Sequence, residues 1–171
     1  LVAHGPQSLR LADVAKAAGV ANATVLHHFG SIAAVHQALM ERMIADLVDS
    51  ILSVEIPADA PLEARAVGLK TLFDAFETRG AARLAAWLEL TGETGRMTVV
   101  REAVQEVAQK KIASVGIPAD MAEDMILLSV TLAVGVGLFG RSLGTLIGKP
   151  PERARELALQ MLLANIQRLA G

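Results

Sequence analysis

Cysteine and tyrosine are absent from this chain of 171 residues, and aromatic residues make up only 3% of it. Without cysteine there is no disulfide scaffold, no thiol nucleophile and no thiolate metal site. Apolar residues nevertheless make up 53% of the sequence, which excludes a disordered chain. The core must therefore be built from alanine, leucine, valine, isoleucine and methionine, and the length corresponds to about one domain.

Strand patterns are also missing. No segment alternates strictly between apolar and polar residues, whereas apolar residues recur at intervals of three and four in several segments. Alanine and leucine, which favour helices, outnumber the β-branched and aromatic residues. Proline-containing joints at residues 56–61, 116–120 and 148–151 separate these segments. The pattern predicts an all-α protein with long helices and short loops.

Charge of one sign is not in excess, since 16 basic residues face 18 acidic ones and the net charge is −2. This balance argues against bulk coating of nucleic acid but does not exclude a local reading surface. The longest apolar run, residues 125–140, is shorter than the about 20 residues of a membrane span. We therefore predict a cytoplasmic protein without membrane contact. Because the first residue is Leu1 rather than methionine, we expect the sequence to begin inside a longer protein.

The first part of the chain has shorter elements than the rest. The pattern predicts helices over residues 11–18, 21–29 and about 31–52, with a turn at Gly19 and Val20. Two short helices that meet at a glycine-containing turn are typical of a helix-turn-helix.

Individual residues fit that motif. Ala15 is small enough for a close helix crossing, and Gly19 can adopt a positive φ without steric cost. Val20 and Val25 are predicted to fill the small core between the helices. The second helix opens with small and polar residues, which suit the floor of a DNA groove.

Residues 13–31, DVAKAAGVANATVLHHFGS, resemble the DNA-binding signature of the tetracycline-repressor (TetR) family of bacterial regulators. The resemblance covers about the first 45 residues, and the remainder matches the family only in plan. It implies a helix-turn-helix DNA-binding domain over residues 1–46, in which residues 1–4 are the tail of a truncated first helix. A helical domain for ligand binding and dimerisation would follow over residues 47–171.

The resemblance also implies DNA contacts. The second helix would enter the major groove, with three residues towards the bases and two towards phosphates or the helix start, while Phe29 would plug the small core. Arg10 stands where the family commonly has threonine or serine, and it can itself reach a phosphate. The predicted contacts are Arg10, Asn22, Ala23, Thr24, His27 and His28.

Two residues depart from the family pattern. Leu26 stands where the family commonly has tyrosine, and Ile32 where it commonly has lysine, so two phosphate donors are lost. Residues 1–53 carry three basic and four acidic residues, a net charge of −1. Because phosphate contacts supply much of the affinity, we predict weak or strongly salt-dependent DNA binding.

All four histidines lie in the first 36 residues, which raises a metal site at His27, His28 and His36 as an alternative. Adjacent helical residues point about 100° apart and seldom bind one ion together. We therefore predict DNA-facing or packing histidines and no metal. The histidines lie apart from the apolar domain, and no paired carboxylates or phosphate loop accompany them, so we predict no catalysis and no cofactor.

Within the helical domain, methionine and the few aromatic residues suit an adaptable cavity for a small apolar ligand, although such residues also form plain core. The candidate lining residues are Phe73, Phe76, Trp87, Leu90, Met97 and Met125.

Four glycines, at positions 135, 137, 140 and 144, interrupt a helical stretch, which indicates close packing of another helix. The resemblance implies a homodimer through the last two helices, with packing inside one chain as the alternative. The predicted dimer residues are Leu128, Leu132, Val136, Phe139, Leu143, Leu159, Leu163 and Ile166.

These observations and the resemblance predict a DNA-binding transcriptional regulator. We expect a ligand-responsive repressor that acts as a homodimer on a palindromic double-stranded operator. The alternative is a helical module of the same fold that binds a small molecule or a partner and has weak or lost DNA binding.

Overall fold

The computed structural model describes residues 5–54, 62–92, 98–112 and 118–170, and most of these residues are helical. These ranges contain no strand, which confirms the predicted all-α class. A 3-10 turn at Pro6–Ser8 precedes the helices, which are α1 (Leu11–Ala18), α2 (Asn22–Phe29), α3 (Ile32–Leu52), α4 (Leu62–Glu77), α5 (Ala81–Leu90), α6 (Thr98–Val107), α7 (Ala119–Gly135), α8 (Arg141–Leu146) and α9 (Arg153–Ala170). The predicted helix tail at residues 1–4, most of the first two proline joints, and Met97 lie outside the described residues.

Helices α1 and α2 form the predicted helix-turn-helix. Gly19 ends α1 with φ 68° and ψ 28°, the left-handed conformation that glycine adopts without strain. Ala15 and Val25 are each 4% exposed and form the small core of the motif. Val20 is 44% exposed, so the prediction that it fills this core is wrong. Its backbone N–H donates to the Ala15 carbonyl at 3.0 Å, and this turn leaves the side chain in solvent.

The 21-residue helix α3 connects the motif to the rest of the molecule. Ser31 begins it, because its hydroxyl accepts a hydrogen bond from the Ala34 N–H at 3.1 Å. Farther along, α3 packs against α4, α5 and α6. The main core then gathers side chains from α3, α4, α5, α7 and α9, namely Leu47, Leu72, Phe73, Ala75, Phe76, Ala81, Ala82, Ala133, Ala158 and Leu162.

Helices α7 and α8 are joined by a π-helical segment, Val136–Gly140, into one long helix. A Cβ atom at Gly137 would lie 2.8 Å from the Cβ atom of Ala82, and one at Gly140 would lie 3.1 Å from that of Ala154. At Gly144 the neighbour is the carbonyl oxygen of Pro150. The predicted close packing of another helix is present within the chain at Gly137 and Gly140, whereas Gly144 meets the loop before α9 and Gly135 has no neighbour within 4 Å.

This long helix is also conspicuously apolar. By length and composition, its 27 residues Asp120–Leu146 could cross a membrane, although only the helix as a whole is long enough. One such helix is a weak indication, because core helices of soluble proteins pass the same test. Here, however, only 17% of its most apolar stretch is buried.

The predicted dimer residues divide into three groups. Leu132, Val136 and Leu159 are half-buried and pack against the main core of their own chain. Leu163 and Ile166 are half-buried. The others are exposed and belong to a larger set on α7 to α9 that we call the apolar ridge, made of Leu127, Leu128, Phe139, Leu143, Leu146, Ile147, Leu157 and Met161.

Candidate nucleic-acid interface

The exposed face of α2 is defined by the one residue of this helix that is buried. Val25 is 4% exposed and points into the helix-turn-helix core. With about 100° between successive residues, Ala23 and His27 lie on the side of α2 opposite Val25. Thr24 and Leu26 flank them. The centre of the exposed face therefore presents the methyl group of Ala23 and the imidazole of His27, one helical turn apart.

The six predicted DNA contacts are all exposed. Asn22 and His28 lie nearer the buried side of α2 than His27 does, because each is three residues from Val25. The His28 ring contacts the Phe29 ring edge-on, with centroids 4.6 Å apart and planes at 87°. Phe29 is half-buried beneath it. His28 thus stands at the rim of the face, where a groove-bound helix meets the phosphate backbone.

Arg10 stands at the N-terminus of α1, a position that faces phosphates in many protein–DNA contacts. Its backbone N–H donates to a carboxylate oxygen of Asp13 at 3.2 Å, which caps the helix. The Arg10 side chain is exposed, and so is that of Lys16 in the last turn of α1. These two residues supply the cationic charge of the helix-turn-helix.

The side chains of Leu26 and Ile32 offer no hydrogen-bond donor to a phosphate. Leu26 is 47% exposed, so it occupies the surface without a hydrogen-bonding group. Ile32 is half-buried at the first position of α3. Arg42 forms an ion pair with Asp46 at 2.9 Å along α3, which places its charge beside an acidic partner. The exposed face of the helix-turn-helix therefore carries mostly small and polar side chains and little positive charge.

His27, His28 and His36, the three histidines within the described residues, lie in different environments. His36 is 4% exposed, in contrast to the exposed His27 and His28. Its Nε2 atom lies 3.0 Å from the carbonyl oxygen of Pro6. Among the described residues, no group of three histidines or carboxylates is arranged to hold a metal ion. The buried His36 is a feature that spacing alone did not reveal, because its partners come from separate parts of the sequence.

The residues predicted to line a ligand cavity occupy different environments. Phe73, Phe76 and Met125 are buried, at 0%, 7% and 8% exposure, and Trp87 is half-buried. Leu90 is 86% exposed at the end of α5, so including it was wrong.

Ser129 on α7 was not among the predicted site residues. Its side chain is 5% exposed, and with His36 it is one of two buried polar residues in the described parts of the chain. A polar side chain buried in a largely apolar helix is a candidate contact for a bound polar group. No periodicity signals such a residue, because serine also occurs as ordinary helix surface.

Comparison with known proteins adds a finding for the first part of the chain. A family model described as "Bacterial regulatory proteins, tetR family" matches residues 1–39, a stretch that contains α1 and α2 and ends within α3. Searches of curated proteins and of solved structures gave no match. The first 39 residues, with their helix-turn-helix and exposed second helix, are therefore similar to the tetR family of bacterial regulatory proteins.

Proposed function

We propose that this protein is a DNA-binding transcriptional regulator of the tetR family, that it acts as a ligand-responsive repressor in the cytoplasm, and that it binds a palindromic operator as a homodimer. The observation that carries the dimer is the apolar ridge on α7 to α9. Phe139 is 58% exposed, Leu143 57% and Ile147 71%, and they follow one another at four-residue spacing. Monomeric proteins rarely leave large apolar patches in water, so a row of exposed apolar side chains at this spacing favours a second copy that covers it.

A two-fold dimer explains the small charge of each reading helix. Two copies of α2 would read half-sites about 34–36 Å apart, one turn of DNA. Each copy needs only part of the affinity, because the second engages as an intramolecular step. Base contacts by Ala23 and His27, with Asn22 beside them, would then specify the sequence, while Arg10, Thr24 and His28 fix the register.

Light scattering of the purified protein tests the dimer. The wild-type chain should have the mass of two copies at micromolar concentration. Leu143→Glu places a charge in the apolar ridge and should give monomers, because burying an unpaired carboxylate is strongly unfavourable. Ser142→Glu adds the same charge at the neighbouring exposed position and serves as the matched control. A wild-type monomer, or dissociation by both variants alike, would refute this arrangement.

Ser129 supports the ligand half of the proposal. Its hydroxyl is buried, and a bound molecule with one polar group would form a hydrogen bond to it. The neighbouring positions one turn away, Met125 and Ala133, are buried and apolar. The ligand that fits this environment is a small apolar molecule with a single hydrogen-bonding group.

Decanol is a suitable probe, since it joins an alkyl chain to one hydroxyl. It should raise the unfolding temperature of the wild-type protein more than that of Ser129→Ala. It should also weaken DNA binding, because a ligand that favours the non-binding state opposes the operator by linkage. Equal shifts in both proteins would exclude Ser129 from ligand binding.

The second candidate function, a ligand-binding or interaction module with lost DNA binding, is favoured by Leu26 and Ile32. If the wild-type chain did not bind DNA and Leu26→Tyr restored DNA binding, this second candidate would be supported. Neither candidate involves making or breaking covalent bonds, so the proposal assigns the chain no catalytic activity and no cofactor.

A further inference from the structure

One buried histidine links the DNA-binding head to the helical domain. His36 lies one turn into α3 and is 4% exposed. Its Nε2 atom is 3.0 Å from the carbonyl oxygen of Pro6. Because a carbonyl only accepts, Nε2 must carry the hydrogen and donate it. His36 therefore binds a segment that precedes it by 30 residues in sequence.

That segment, residues 5–9, is a tight turn that leads directly into α1, and we call it the entry turn. Gly5 has φ 74°, a conformation suited to glycine, and both Gly5 and Pro6 are buried. The Ser8 hydroxyl donates to the Gly5 carbonyl at 2.8 Å. The Pro6 carbonyl accepts from the Leu9 N–H at 3.1 Å as well as from His36. The two lone pairs of the Pro6 carbonyl oxygen are thus used, one by the turn and one by α3.

The other side of His36 faces the helical domain. Its ring meets the Trp87 ring of α5 edge-on, with centroids 6.2 Å apart and planes at 68°. One turn farther along α3, Met40 is 2% exposed and packs with Leu84 and Leu88 of the same helix α5. The entry turn itself also contacts α5. Three segments therefore meet at His36, namely the entry turn, α3 and α5.

On the basis of the proposed DNA-binding function, we propose that His36 is a positioning residue for DNA binding, which holds the entry turn on α5 and thereby sets the orientation of the α1–α2 reading unit relative to the helical domain. The contacts make this role specific. The entry turn continues into α1 after residue 10, and α2 continues into α3 after two residues, so both ends of the reading unit converge on His36. A displacement of α5 would reach the reading unit through this side chain.

The hydrogen bond and the ring contact can be separated by substitution. His36→Gln keeps an N–H donor at similar reach and loses the ring. His36→Phe keeps a ring beside Trp87 and leaves the Pro6 carbonyl without its buried donor. His36→Ala removes both. Leu72→Ala, in the main core and away from this junction, is the matched control for general destabilisation.

The first measurement needs no DNA. Hydrogen exchange of the full chain should be faster over residues 6–18 in His36→Phe and His36→Ala than in the wild type, while α9 keeps its protection. His36→Gln should exchange like the wild type, and Leu72→Ala should not change residues 6–18 selectively. If residues 6–18 exchanged at the same rate in all four variants, the proposal would be overturned.

The second measurement is the Kd for a duplex that the wild-type chain selects from a random pool. His36→Phe and His36→Ala should bind it about tenfold more weakly, because the competent orientation is less populated. His36→Gln should restore binding to within about threefold of the wild type, which a purely structural histidine would not require. Equal losses in His36→Gln and His36→Ala, or an equal loss in Leu72→Ala at matched unfolding temperature, would refute the positioning role.

Discussion

Gly137 of the long helix lies directly against Ala82 of α5. A Cβ atom at Gly137 would be 2.8 Å from the Cβ atom of Ala82 and 2.9 Å from the carbonyl oxygen of Phe76. Real Cβ atoms do not approach so closely, so glycine at this position is what lets the long helix rest on α4 and α5. Gly135, two residues earlier, has helical φ and ψ of −58° and −46° and nothing within 4 Å of the corresponding site.

Replacement by alanine should have opposite effects on the free energy of unfolding at these two glycines. Gly137→Ala should lower the free energy of unfolding by about 1–3 kcal/mol, because the helices must separate to admit a methyl group. Gly135→Ala should raise it by up to about 1 kcal/mol, since alanine favours a helix and meets no neighbour. Urea unfolding of both variants checks the pair. A stable Gly137→Ala variant would show that α5 and the long helix do not pack as closely as described.

His27 should dominate sequence recognition, because it lies at the centre of the exposed face of α2. We expect His27→Ala to weaken binding of the selected duplex by about 1–3 kcal/mol, the range for one base contact. Gln160→Ala, an exposed change on α9, should leave it unchanged. Fluorescence anisotropy with a labelled duplex measures both. Binding of His27→Ala at wild-type strength would remove His27 from the reading surface.

Leu26 offers a test by gain of function. It is 47% exposed and carries no hydrogen-bonding group beside the predicted phosphate path. Leu26→Tyr should tighten DNA binding about fivefold, because a hydroxyl that reaches a phosphate forms a charge-assisted hydrogen bond. Leu26→Phe supplies the same ring without the hydroxyl and should not tighten binding. If both variants behave alike, Leu26 does not face a phosphate.

Arg155 connects α9 to α4 and should matter for stability. Its guanidinium lies 2.7 Å from a carboxylate oxygen of Asp74 and 3.4 Å from one of Glu77, and its side chain is 24% exposed. Arg155→Met should lower the free energy of unfolding by about 1 kcal/mol. Arg153→Met breaks the more exposed local pair with Glu156 and should cost less than about 0.5 kcal/mol. Thermal unfolding of the two variants at matched salt distinguishes them, and equal losses would contradict the assignment.

The helix-turn-helix could be predicted from sequence because its rules are local. Gly19, Ala15 and Val25 each follow from helix periodicity and turn geometry within a few residues, and α1 to α3 begin and end within one residue of the predicted bounds. Val20 was the exception. Its side-chain direction depends on how the turn is bonded to Ala15, which the apolar pattern does not encode.

Residues that depend on distant contacts could not be predicted in the same way. His36 has the same local signature as the exposed histidines, and only the fold brings Pro6 and Trp87 to it. Gly137 and Gly140 correctly indicated close packing of another helix, but the sequence could not say whether that helix belonged to the same chain or to another copy. Leu90 has the apolar character of a pocket residue, yet it lies at the exposed end of α5.

The central claim is that two copies of α2 read DNA through the face centred on Ala23 and His27. Selection of duplexes from a random pool by the full chain, followed by sequencing, tests it most directly. The account predicts enrichment of an inverted repeat with half-site centres about 10 base pairs apart, and loss of that enrichment with His27→Ala. Enrichment of no sequence, or of the same sequence by His27→Ala, would contradict it.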